Sequence, residues 1–319
     1  MTGPVVVFNP VSGLDADEVR GALAAAGLTG IRWVETTEDD PGVTASRAAV
    51  DDAASLVIAC GGDGTVMACV TGLAGSDVPL AVVPAGTGNL LARNFAIDRS
   101  LAGAATIAAN GVRRRIDVGV LGDERFAIMA GIGFDAQMLR DAPRELKDKV
   151  GWLAYVISGV RTARRSPRAT FRLTLDDGTV VRRRGRGVLV GNVGDLQAGL
   201  PVLPGAVPDD GAFEIGVLAA RSARDWLGLL VRLVLRSTPR ERQLEVFTSS
   251  RVDVTVDREL PLQLDGDVRR PTRHFVAEIQ PRALTLCVPA DENAPAEDQR
   301  EESVAASEGS SGSTPSEVM

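Results

Sequence analysis

The first 118 residues alternate short apolar runs with amphipathic helical patterns, and no other feature constrains the chain as tightly. PVVVFN (4–9), IRWVET (31–36), SLVIAC (55–60) and PLAVVP (79–84) read as strands, with helical spacing at Asp15–Ala26, Val43–Ala54 and Thr65–Ala74 between them. Near-continuous apolar strands separated by helices predict βαβ units and a parallel sheet covered on both faces. After about Val118 the rhythm changes. RFAIMAGIG (125–133), ATFRLTLDDGTVV (169–181), RGRGVLVGNV (184–193), AFEIGVLAA (212–220), RVDVTVDREL (251–260), PLQLDGDV (261–268) and ALTLCVP (283–289) are strand-like and divided by Gly, Pro or Asp-Gly turn signals. These predict a mostly antiparallel sandwich, interrupted by helical segments at Arg144–Arg164 and Ala223–Arg236. The expected division is an α/β domain at 1–118, a β-rich domain at 119–290 and a disordered tail at 291–319.

Charge supports that division. The tail holds eight acidic residues and one arginine, a charge of -7 that equals the net charge of the whole chain. It is also Ser-rich and without periodic hydrophobes, the composition of a segment that cannot bury a core. The body at 1–290 is therefore formally neutral, and within it residues 140–186 carry 13 basic and five acidic residues. Neutrality of the body and 4% aromatic content argue against a nucleic-acid partner.

Scarce residue types exclude several chemistries. The 35 basic residues include two lysines, Lys147 and Lys149, neither of them in a GxxxxGK[ST] loop or on a strand over nucleotide phosphates. A single histidine, His274, excludes an HExxH metal site, and three cysteines without CxxC spacing point to neither a disulfide framework nor a zinc site. The opening MTGPVVVFNP lacks a basic n-region, and no apolar stretch reaches the roughly 18 residues of a membrane span. The expectation is a cytoplasmic protein, with any membrane contact peripheral at the inner face.

The strongest local signal is SLVIACGGDGTVMACVTGL (55–73), where an apolar strand runs into Gly61, Gly62, Asp63, Gly64 and Thr65 and then a helix. Glycines let backbone approach an anion, and the N–H groups opening the helix present its positive dipole end. Asp63 cannot attract phosphate itself. It makes sense through a divalent cation or water, or by orienting another group. PLAVVPAGTGNLLARN (79–94) forms a second strand and glycine loop with Gly86, Thr87 and Asn89 at its exit, and NPVSG, opening at Asn9, is a third. In open α/β sheets such loops line the ligand crevice at the carboxyl ends of the strands.

Together NPVSG, GGDGT and PAGTGN resemble the diacylglycerol kinase and sphingosine kinase catalytic-domain family, in particular its soluble bacterial lipid kinases, over residues 4–289. GGDG alone is shared with NAD kinases, so the flanking motifs carry the distinction. The fold implied is an N-terminal Rossmann-like, NAD kinase/diacylglycerol kinase-like α/β domain with a C-terminal antiparallel β-sandwich domain, whose last strand returns to the first domain.

The resemblance further implies an ATP-dependent lipid kinase acting in the cleft between the domains. Nucleotide contacts would come from Asn9, Thr37, Gly61, Gly62, Gly64, Thr65, Gly86, Thr87 and Asn89. Mg2+ would sit on Asp210 of GNVGDLQAGLPVLPGAVPDDGAFEIGVL (191–218), and Asp63 would belong to the catalytic network. LQLDGD (262–267) aligns with the family's Asp-Gly-Glu, so the general base on the lipid hydroxyl falls on Asp267, one methylene shorter than the usual glutamate. Asp265 could share that role, or both aspartates could be turn residues. Met67 and Ala68 replace the Asn-Glu pair common after GGDGT. The partners expected are ATP and a lipid presented by a membrane surface, and a homodimer is compatible with the sequence. An NAD kinase, or a lipid- or nucleotide-binding regulatory protein without catalysis, are the alternative readings.

Overall fold

The computed structural model describes residues 2–133, 168–196, 200–219, Asp225, Gly228 and 243–290. The helical segment expected at Arg144–Arg164 and the tail at 291–319 lie outside the described residues. So does most of Ala223–Arg236, of which Asp225 and Gly228 are described and helical.

The elements run β1 (Val5–Phe8), α1 (Ala16–Ala25), β2 (Arg32–Glu35), α2 (Val43–Asp51), β3 (Val57–Gly61), α3 (Asp63–Leu73), β4 (Leu80–Pro84), α4 (Leu90–Asn94), α5 (Leu101–Asn110) and β5 (Val112–Leu121). Then come β6 (Glu124–Phe126), β7 (Met129–Ile132), β8 (Ala169–Leu175), β9 (Val180–Gly185), β10 (Val188–Gly191), β11 (Asp195–Leu196), β12 (Leu200–Pro201), β13 (Phe213–Leu218), β14 (Leu244–Ser249), β15 (Arg251–Leu264) and β16 (Asp267–Val288). Residues 1–289 form one compact unit.

β1 to β4 pair in parallel in the order β4-β3-β1-β2. Their alternation sorts side chains to two faces. Val5, Val7, Val57, Ala59, Leu80 and Val82 pack with Ala49 of α2 and Val66, Cys69, Val70 and Leu73 of α3. Val6, Phe8, Ile58, Cys60, Ala81 and Val83 pack with Val19 and Leu23 of α1 and Ala104, Ala105 and Ala108 of α5. Both faces of β1, β3 and β4 are dry, which is why these three strands read as unbroken apolar runs. α1 begins where Asp15 accepts the N–H groups of Asp17 and Glu18, and α5 where Ser100 accepts that of Gly103.

The second half is antiparallel. β14-β13-β10-β7-β15-β16 continue the same sheet, β8 and β9 branch from β15, and β5 and β6 branch from β16. A separate core fills this half, with Phe126, Phe171, Phe213, Ile132, Leu173 and Ile215 all buried. β16 joins the halves, pairing with β15 at its start and with β5 and parallel β4 at its end, through Leu286 opposite Leu80. Its two prolines fall where the ladder shifts: Pro271 beside the irregularity between Leu260 and Leu262 of β15, and Pro281 between Gln280 and Leu284. Proline cannot donate to a ladder and is tolerated at such bulges. The α/β half and the β-sandwich half are as the sequence predicts. No helix among the described residues is long and apolar enough to cross a membrane.

Candidate active site

β2 lies on one side of β1 and β3 on the other, so the direction of winding reverses at β1 and β3, where ligands bind in open α/β sheets. A pocket of about 580 Å3 opens there. It is lined by Asn9, Pro10 and Val11 after β1, Thr36, Thr37, Glu38 and Pro41 after β2, and Gly62, Gly64 and Thr65 after β3. Five of the residues expected to contact nucleotide therefore share one cavity: Asn9, Thr37, Gly62, Gly64 and Thr65.

Local hydrogen bonds set their positions. Asn9 Nδ2 donates to Thr65 Oγ1 at 3.2 Å, tying the first loop to α3. Thr37 Oγ1 accepts the Asp40 N–H at 3.1 Å. α3 starts at Asp63, two residues earlier than the helical pattern predicts, and Gly62 as its N-cap supplies no side-chain acceptor. Its first N–H groups thus keep the geometry and dipole that favour an anion. A Cβ on Gly61 would meet Thr65 Oγ1 at 2.7 Å, which accounts for glycine there.

The third loop seals against the second without lining the pocket. Asn89, in the left-handed region at φ 48°, closes a ring with Gly86: its Oδ1 accepts the Gly86 N–H at 2.8 Å and its Nδ2 donates to the Gly86 carbonyl at 2.7 Å. A Cβ on Gly86 would lie 2.9 Å from Gly62 Cα and 2.9 Å from Asn89 Oδ1. Thr87 stands exposed at the loop tip.

Asp63 holds these loops together. Its Oδ2 accepts the Asn89 N–H at 2.9 Å and its Oδ1 the Leu90 N–H at 2.6 Å, so both carboxylate oxygens serve the start of α4. Of the roles open to Asp63 in sequence, orienting a neighbouring group is the one this geometry displays. Met67 packs against the core and Ala68 is buried, so the two apolar departures from the family pattern occupy apolar surroundings.

The β15–β16 hairpin turns at Asp265 and Gly266, both with positive φ (47° and 90°), with Leu264 opposite Asp267. This is the two-residue turn that Asp-Gly favours. Asp265 points inward. Its Oδ2 accepts the N–H of Ala127 at 2.8 Å, and its Oδ1 those of Ile128 at 3.0 Å and Met129 at 2.7 Å. Asp267, partly exposed, opens β16 beside it. Burial pushes the Asp265 carboxyl up to about 7; the three N–H donors pull it down, and repulsion from Asp63 adds to the rise. An aspartate in the unfolded chain titrates near 3.9, so on raising pH the unfolded chain releases this proton first. The stability Asp265 contributes is full below about pH 4 and is lost as pH rises towards about 7. Relative to Asp265→Asn, the wild-type Tm should therefore fall between about pH 4 and pH 7. Parallel melting curves for the two proteins would refute this.

Asp210 occupies an exposed turn, its Oδ1 accepting the Ala212 N–H at 3.0 Å. Among the described residues no three His, Cys, Asp or Glu side chains cluster as a metal cage. Asp210 offers one outward carboxylate, and Mg2+ keeps several waters and takes one or two carboxylates.

Sequence reasoning missed two buried residues that shape this region. Asp117 accepts the N–H of Gly211 at 2.7 Å and of Arg282 at 2.6 Å, and its own N–H donates to the Pro208 carbonyl, clamping the Asp210 turn onto β5. Asn192 Nδ2 donates to the carbonyls of Asp117 at 2.8 Å and Ala127 at 2.9 Å. Ala127–Met129 is thus gripped by Asp265 through its N–H groups and by Asn192 through a carbonyl. In sequence, Asn192 belongs to the quoted GN segment, whereas Asp117 carries no motif.

Two family models match: the diacylglycerol kinase catalytic domain over residues 4–121 and the YegS C-terminal NAD kinase beta sandwich-like domain over residues 128–288. A diacylglycerol kinase of Bacillus subtilis is 30% identical over 271 residues, 82% of this chain and 88% of that protein. An uncharacterized Synechocystis protein is 26% identical over 74% of this chain, which spans 55% of that protein's length. The crystal structure of a diacylglycerol kinase from Bacillus anthracis shares the fold, with a TM-score of 0.69 at 20% identity over 90% of this chain and 96% of that one.

Proposed function

The chain belongs to the diacylglycerol kinase catalytic-domain family, and from that premise we propose that it transfers the γ-phosphate of ATP to the hydroxyl of diacylglycerol or a related lipid. The observation that carries this reading is the pocket of about 580 Å3 at the switch point, bounded by the loops after β1, β2 and β3 and by the open N-terminus of α3. Its volume is that of an ordinary small-ligand site. Thr37 would lie at the nucleoside end. Gly62, Gly64 and Thr65 would receive the phosphates on backbone N–H groups and a hydroxyl, with the Gly86–Asn89 loop fixed behind them.

Phosphoryl transfer depends mainly on positioning and charge neutralisation. Mg2+, which Asp210 would hold, would supply charge neutralisation to the reaction. Asp267 takes the proton of the lipid hydroxyl as its oxygen bonds to the γ-phosphorus and the bond to ADP breaks. Asp265 is a positioning residue, fixing the turn from which Asp267 emerges.

The test is formation of a phosphorylated lipid from Mg2+, ATP and diacylglycerol dispersed in neutral detergent. In Gly86→Ala the added methyl meets Gly62 and Asn89 Oδ1 at 2.9 Å. Overpacking of this kind costs about 1–3 kcal/mol, and displacement of the phosphate loops by about 1 Å should lower kcat/KM by about 100-fold. Full activity in Gly86→Ala would remove the loop contact from the account.

A further inference from the structure

We propose that Glu38 sets the sugar specificity of the nucleotide pocket: its carboxylate accepts the 2′- and 3′-hydroxyls of a ribose, so that the site favours ribonucleotides over 2′-deoxynucleotides and rejects a 2′-phosphate. Glu38 lines the pocket from the loop just beyond the end of β2. The loop is closed on itself. The Thr37 N–H donates to the Asp40 carbonyl at 3.0 Å and the Asp40 N–H to Thr37 Oγ1 at 3.1 Å. The Thr36 N–H donates to the Phe8 carbonyl at 2.8 Å and ties this turn to the end of β1. Glu38 and Asp39 form its tip, and Glu38 is the one that borders the pocket.

Strand order decides which part of a nucleotide arrives there. Gly62, Gly64 and Thr65 follow β3, Asn9 and Val11 follow β1, and Glu38 follows β2, the last strand of the sheet. Strands lie about 4.8 Å apart, so β2 is about 10 Å from β3. A ligand whose phosphates rest on the start of α3 therefore passes Asn9 and meets β2 with its sugar and base. Pro10, Val11 and Pro41 give that end apolar walls, and Val11, 88% exposed, is left bare for a base to cover. The neighbouring Asp40 is committed to the N–H groups of Gly42 and Thr44. Glu38 is exposed, and among the described residues no hydrogen bond or ion pair engages its carboxylate. A carboxylate is an acceptor only, and the vicinal hydroxyls of a ribose are a matching pair of donors. Dinucleotide-binding α/β folds use an acidic side chain for the ribose 2′-hydroxyl and an arginine for a 2′-phosphate.

This inference deepens the kinase reading and rests on its assignment of the pocket to a nucleotide, but it is measured by binding without turnover. The full chain with Mg2+ is titrated calorimetrically with ATP, 2′-deoxy-ATP and GTP, and in a second series with ADP and its 2′-phosphorylated form. The wild type should bind ATP about tenfold or more tighter than 2′-deoxy-ATP, the worth of a hydrogen bond to a charged group, and should prefer ADP to the 2′-phosphorylated form. Glu38→Ala should bind ATP and 2′-deoxy-ATP alike, with the Tm of the free protein unchanged. Glu38→Arg should reverse the second preference, a gain that a damaged fold could not produce. Equal wild-type affinity for ATP and 2′-deoxy-ATP, or discrimination that survives in Glu38→Ala, would overturn the proposal while leaving phosphorylation of lipid by ATP intact. A Glu38→Ala protein that changes its ratio of ATP to GTP affinity and keeps that of ATP to 2′-deoxy-ATP would put the carboxylate on the base and overturn it too. Failure of every nucleotide to bind would overturn the pocket assignment and the kinase reading together.

Discussion

Asp267→Ala is expected to bind ATP like the wild type and to turn over about 100- to 10,000-fold more slowly, the range spanned by general acid–base catalysis. The separation of the two effects follows from where the residue sits. Asp267 opens β16 at the hairpin turn, whereas the residues lining the pocket follow β1, β2 and β3. The turn itself is held by Asp265 through three backbone N–H groups, so truncating Asp267 leaves its anchor intact. Asp267→Glu should preserve or raise turnover, because it restores the reach of the family's glutamate to a backbone already in place. Unchanged turnover in Asp267→Ala would remove the base assignment, and parallel loss of ATP affinity would recast the residue as part of the nucleotide site.

Asp63→Asn is expected to lower both nucleotide affinity and turnover, with a loss of about 100-fold in kcat/KM. Both carboxylate oxygens are acceptors for backbone donors, from Asn89 and Leu90. An amide keeps one acceptor and turns two N–H donors towards the other, so one backbone N–H loses its partner at a cost of about 1–3 kcal/mol. The displaced loop carries the Asn89–Gly86 ring, and Gly86 in turn packs on Gly62 at the phosphate end. A second readout separates this role from simple destabilisation. Repulsion from Asp63 contributes to the raised Asp265 carboxyl, so its removal should narrow the pH window over which stability falls. Wild-type activity in Asp63→Asn would leave the residue as a surface cap.

The parallel half was legible because its strands are buried on both faces and its turns are glycine-rich, so Val5–Phe8, Val57–Gly61 and Leu80–Pro84 announce themselves as apolar runs. The same glycines located the pocket, since backbone approach to an anion needs residues without side chains. β16 was harder to see. VRRPTRHFVAEIQPR (268–282) is mostly polar and holds two prolines, features that argue against a continuous strand until the bulges that accommodate them are visible. Asp117 was invisible for a related reason. Its partners are backbone groups of Pro208, Gly211 and Arg282, distant in sequence and bearing no side-chain signature. Asp265 was legible as an Asp-Gly turn, but its inward carboxylate was not, because the three donors it satisfies belong to the link between β6 and β7 and to the first residue of β7.

The most direct measurement is to incubate the full chain with Mg2+ and γ-labelled ATP, adding a total lipid extract in one reaction and NAD in another, and to identify the labelled product by mass. The account predicts label on a lipid hydroxyl, lost in Asp267→Ala, and none on NAD. Label on NAD, or none on any lipid while ATP still binds, would contradict it.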